Sequence, residues 1–228
     1  MFNKLLRIVG IVLLAVTAVI TLLSGVGTTC VALDPAKYDM AAITPYQWLY
    51  VLYVIAGIVI GVMGVLATIA LIRRKPNAYR SALTSLTLGL VVGGIHMATS
   101  RALRGKSMPL DFIVYATAFT LLYFLFLRIP GVWNQINLAD KDDDTAGLGT
   151  GVAMIVGGIV ILTVQLWAGP THVINGVNYA DVWHTQMTIV GGTLALLGSS
   201  LLLTAVTSIA LPNPFRKFNA QSAESVNN

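Results

Sequence analysis

The sequence predicts an all-α, polytopic integral membrane protein with six transmembrane helices. Three observations carry that prediction. Of the 228 residues, 56% are apolar and 10% are charged, against roughly a quarter charged in soluble domains. Six apolar runs reach or approach the ~20 residues that span a hydrocarbon core. Lysine and arginine gather in alternate connections, the pattern that sets orientation in a membrane. The runs are uniformly apolar rather than alternating, which argues against a transmembrane barrel. So few charges cannot cover a wetted surface, and the outer faces are expected to meet lipid.

The first run, Leu5–Thr28, opens beside Lys4 and Arg7 and continues through Val31, Ala32 and Leu33. A signal-peptide core holds only ~7–15 apolar residues, so this run is expected to be retained as the first helix. The second, Tyr46–Ile72, opens on Tyr46, Trp48 and Tyr50 and carries Gly57 and Gly61. Aromatic residues favour the interface, and small residues four apart let helix backbones approach in lipid. The third, Ser81–Ser100, carries Gly89 and Gly93 at the same spacing. The connection between them, Arg73–Tyr79, is short, so spans two and three are expected to form a tight antiparallel hairpin.

The fourth run is Phe112–Leu127, the fifth Gly151–Ala168 and the sixth His184–Leu211. Gly191, Gly192, Ala195 and Ser199 give the sixth a smooth face. The acidic stretch Asn134–Thr150 between spans four and five reads as a flexible linker. Between spans five and six, Asn175-Gly176 separates Val173-Ile174 from Val177-Asn178. That is a two-residue hairpin signal, so an ordered outer loop is expected there. Residues 1–211 thus form one transmembrane domain, and 212–228 form a polar tail expected to be disordered.

With six spans both termini share a side. That side holds Lys4, Arg7, Arg73, Arg74, Lys75, Arg80, Arg128, Lys141, Arg216 and Lys217, ten of the fourteen basic residues. Lys37, Arg101, Arg104 and Lys106 lie opposite. The bias places both termini in the cytoplasm and the protein in the plasma membrane. The net charge of +5 therefore reports topology rather than nucleic-acid binding. Cys30 is the only cysteine, which excludes an internal disulfide and any multi-cysteine metal site.

Function is sought where polarity enters the apolar runs, because an ionisable residue at membrane depth is costly without a partner. His96 lies about 24 Å beyond Arg80 along the third helix, hence in the outer leaflet. His184 opens the sixth span and His172 lies in the loop before it. Ser100 and Arg104 follow His96 on one helix face; Asp111 and Tyr115 start the fourth span, and Gln165 ends the fifth. If spans three and six are neighbours, His96 and His184 could hold a b-type haem axially, with Gly89, Gly93 and Gly191 making room. His172 could complete a three-histidine metal set with them. His96, His184, Arg104, Asp111, Tyr115 and Gln165 could equally bind a quinone and exchange protons.

These readings make the chain a subunit of a larger, electron-transfer or quinone-linked membrane complex, without catalysis of its own. Its partners are then membrane lipids and other membrane subunits, or further copies of itself. A small-solute transporter or channel is the alternative, although such sites favour broken helices near the midplane. A purely structural reading stands beside both: His96 binding a neighbouring helix, and Arg101 or Arg104 paired with Asp111 or Asp181. The inventory shows no phosphate-binding loop, no nucleophile elbow and no zinc-protease motif. Glu224, in the tail, is the only glutamate, so paired glutamates within the spans are excluded.

Overall fold

The computed structural model describes residues 2–38, 40–133, 145–169, 173–174 and 176–210. Among these, five helices are long and apolar enough to cross a membrane. The elements are α1 (Phe2–Leu33), α2 (Gln47–Ile72), α3 (Ala78–Arg104), α4 (Leu110–Leu127), α5 (Pro130–Trp133), α6 (Thr145–Leu162) and α7 (Val164–Ala168). They continue with β1 (Val173–Ile174), β2 (Val177–Asn178), α8 (Tyr179–Val182) and α9 (His184–Ala210). Long helices are what apolar sequence in lipid must form, since each satisfies its own backbone groups.

α1 to α4 form an antiparallel bundle in which α1 packs on α2 and α4, and α3 on α2 and α4. One end gathers basic residues and is tied by side chain to backbone bonds. Tyr123 donates to the Leu6 carbonyl at 2.7 Å, and Tyr79 to the Phe124 carbonyl at 2.9 Å. Arg128 lies over the Trp133 ring of α5, 4.5 Å from its centroid. Arg7, which charge counting assigns to this side, is only 2% exposed and reaches the Leu71 carbonyl. At the far end two 3₁₀ turns, Ala36–Tyr38 and Ala41–Tyr46, carry the chain from α1 to α2.

The α2–α3 connection is tight because α2 ends in a Schellman turn. Arg74 takes the left-handed position at φ 56°, and the Arg74 and Lys75 amides bond Leu71 and Ala70. Gly105, at φ 69°, ends α3 in the same left-handed region. The hairpin of spans two and three is present; of their four paired glycines only Gly89 touches the other span, at Ile60. Gly57 and Gly61 pack on Gly25 and Leu22 of α1, while Gly89 and Gly93 face Thr117 and Val114 of α4. Close approach of small residues therefore fixes α1 against α2 and α3 against α4.

The fifth run departs furthest from expectation. Its helix starts at Thr145, inside the stretch expected to be flexible, and stops at Leu162, with Thr163 separating α6 from α7. Residues 147–162 are apolar but shorter than the other five candidates. α6 packs antiparallel on α9 through two reciprocal glycine contacts, Gly151 with Gly198 and Gly158 with Gly191. A Cβ at Gly158 would stand 2.7 Å from the Gly191 carbonyl oxygen. The other face of α6 rests on α1, where Gly149 meets Ile11. The Asn-Gly signal between spans five and six corresponds to a short hairpin: β1 and β2 pair antiparallel, Val173 opposite Asn178, with Gly176 at φ 78°. Residues 134–144 of the linker and the tail from 211 lie outside the described residues.

Candidate functional site

The far half of the α1–α4 bundle holds the site, and α2 orients it. Tyr50 and Tyr53 lie three apart on α2 and so share a face. The Tyr53 ring stacks on His96 with centroids 4.3 Å apart, and the Tyr50 ring meets it edge-on at 5.3 Å. Both phenols are pinned to α3. Tyr50 and Ser100 hydroxyls lie 3.0 Å apart and are almost fully buried. Tyr53 donates to Thr99 Oγ1 at 3.0 Å, and Thr99 donates onward to the Ile95 carbonyl at 2.9 Å. The imidazole is thus held by its faces. Among the described residues no group hydrogen-bonds its ring nitrogens.

His96 borders a cavity of about 40 Å³ that also meets Thr21, Ser24, Thr28, Thr117 and Tyr53. Three of these hydroxyls come from α1, where Thr17, Thr21, Ser24 and Thr28 repeat every three or four residues and form one polar stripe. Thr21 and Thr28 donate to the carbonyls of Thr17 and Ser24 at 2.7 Å, and Thr117 to that of Ile113 at 2.7 Å. Their donors are used inside their own helices, but each oxygen keeps acceptor capacity towards the cavity. Gly57, Gly89 and Gly93 keep the space open. At ~10–15 Å³ per water, the cavity takes about three waters. It is far below the ~300 Å³ at which drug-sized pockets begin.

The other sequence-derived candidates fall into separate places. Arg101 pairs with Asp111 at 3.0 Å, donates to Ser107 Oγ at 2.9 Å and approaches the Tyr115 hydroxyl at 3.4 Å. Ser107 also donates to Asp111. The ion pair therefore belongs to Arg101, because only Arg101 faces α4. Arg104 lies on the α2 side, with Nη1 3.2 Å from the Met40 sulfur. Gln165 donates to Asp181 at 3.1 Å, tying the first turn of α7 to α8.

His184 is exposed at the start of α9. α9 packs chiefly on α6, whereas α3 packs on α2 and α4, so the neighbouring of spans three and six that a shared His96–His184 site requires is not a main contact among the described residues. His172 lies outside the described residues, and among those described no group of three or more His, Cys, Asp or Glu could hold a metal. Sequence reasoning missed both tyrosines and the α1 hydroxyls. The seven-residue recurrence of Ser and Thr within an apolar run was the available signal. Compared with known proteins, the chain matches no family model, no curated protein and no solved structure.

Proposed function

We propose that this chain is an integral subunit of a larger membrane assembly, crossing the plasma membrane six times with both termini cytoplasmic. Its own contribution is a water-sized polar site at His96 that exchanges protons with the outer side. The observation that carries this reading is an imidazole packed on Tyr53 and Tyr50 that borders a hydroxyl-lined cavity and, among the described residues, has no hydrogen bond to its ring nitrogens. A histidine required only for packing would be expected to have its nitrogens bonded by a neighbouring helix. The cavity size favours water and protons over a porphyrin or a quinone ring. Six crossings follow if α6, whose 18 residues span about 27 Å, runs the depth of the membrane beside α9. Cytoplasmic termini follow from the ten basic residues on that side.

Proton exchange at His96 is tested by infrared titration in vesicles whose internal pH is clamped. The expected result is an imidazole band that follows external pH and vanishes in His96→Gln. A band that ignores external pH overturns the exchange role. The assembly role is tested by native purification in mild detergent, which should return further membrane subunits in fixed ratio. A chain that runs alone overturns it.

A further inference from the structure

The polar interior does not stop at the His96 cavity. A second cavity of about 10 Å³ adjoins it and shares Thr21, Ile60, Gly89 and Thr117. That is the volume of roughly one water. Thr17 and Ser85 also line it. Thr17 in turn hydrogen-bonds Thr120 of α4 at 2.8 Å, both almost fully buried. Towards the basic end the interior then becomes apolar. Ile11, Leu14, Leu86 and Phe124 belong to one buried cluster, and Arg7 lies a turn beyond Ile11 on α1. The bundle axis is therefore lined by hydroxyls from one end and sealed by hydrocarbon before the other.

We propose that the interior of α1–α4 is a proton path, shut in this structure by the Ile11–Leu14–Leu86–Phe124 layer. The inference rests on the His96 site being hydrated. No carboxylate or ammonium lines either cavity, and a single-water space cannot take a hydrated metal cation. A proton needs only a chain of waters and hydroxyls. At each hop one O–H bond forms as the next breaks, so one proton leaves for each that enters. Apolar layers of this kind close pores by excluding water, and the seal opens when side chains withdraw far enough for water to bridge Thr17 and Thr120 to Arg7.

The test uses the full chain in vesicles with a trapped pH dye and a potassium gradient set by valinomycin. Phe124→Ala should raise proton uptake at least tenfold over the native chain without admitting a larger solute such as sucrose. Phe124→Leu, a milder change that keeps the core filled, should raise it at least threefold. Adding Thr17→Val with Thr120→Val should bring both back towards the native rate. Flat uptake in either folded variant overturns the path, as does a leak that passes sucrose or persists in the valine background. Water contact at His96, measured separately by NMR, separates the two failures. A dry imidazole removes the site itself, whereas a wet imidazole with flat uptake removes only the path.

Discussion

Glycine-to-alanine substitutions along α2 and α3 should produce a graded loss of stability that follows the space at each position. A Cβ at Gly61 would stand 2.6 Å from Leu22 Cα and 2.8 Å from Leu22 N. Carbon atoms rest at ~3.5–4.0 Å, so α1 and α2 must separate by about 1 Å, and the clash is with backbone that no rotamer relieves. Overpacking of this kind costs ~1–3 kcal/mol. At Gly57 the nearest atom, Gly25 Cα, is at 3.4 Å, which is ordinary contact. At Gly94 nothing lies within 4 Å, and alanine there should be neutral or stabilise by up to ~1 kcal/mol through its helix propensity. Reversible unfolding in mixed micelles, followed by tryptophan fluorescence, should rank Gly61→Ala least stable, then Gly57→Ala, then Gly94→Ala. Equal stability of Gly61→Ala and Gly94→Ala would refute close α1–α2 approach.

A double-mutant cycle on Tyr50→Phe and Ser100→Ala should give a coupling of ~0.6–1.7 kcal/mol, the range of hydrogen bonds between membrane helices; zero coupling would contradict the bond. Arg101→Gln should lower the melting temperature more than Arg104→Gln, since only Arg101 holds Asp111 and Ser107. The reverse order would place the ion pair on the wrong arginine. Cys30, exposed near the far end of α1, should react with an impermeant maleimide added outside intact cells. Labelling only after permeabilisation would reverse the proposed orientation.

Helix positions were largely legible because an apolar run in lipid has few alternatives. The Asn-Gly hairpin was legible too, since its signal lies within six residues. Partner choice was not. Gly57 and Gly61 announce a close approach, but their spacing is the same whichever helix supplies the other surface; Gly25 and Leu22 of α1 decide it. Charge counting assigned Arg7 to a side of the membrane and said nothing of its depth. The start of the fifth span was misplaced because Gly147 and Gly149 read as linker, whereas Gly149 is what lets α6 press against Ile11 of α1. His96 was recognised as the polar intruder, but Tyr50 read as an interface marker and Tyr53 was not singled out. The α1 hydroxyls were passed over because Ser and Thr in such helices so often bond their own carbonyls.

Water at His96 is the most direct measurement. The chain, labelled with ¹⁵N-histidine in lipid nanodiscs and assigned through His96→Gln, His172→Gln and His184→Gln, reports water contact at each ring by magnetisation transfer. We expect strong transfer to the His96 ring nitrogens, lost when Thr21→Leu and Ser24→Leu together fill the cavity. A His96 ring without water contact, beside a wetted His184 as internal control, would contradict the proposed site.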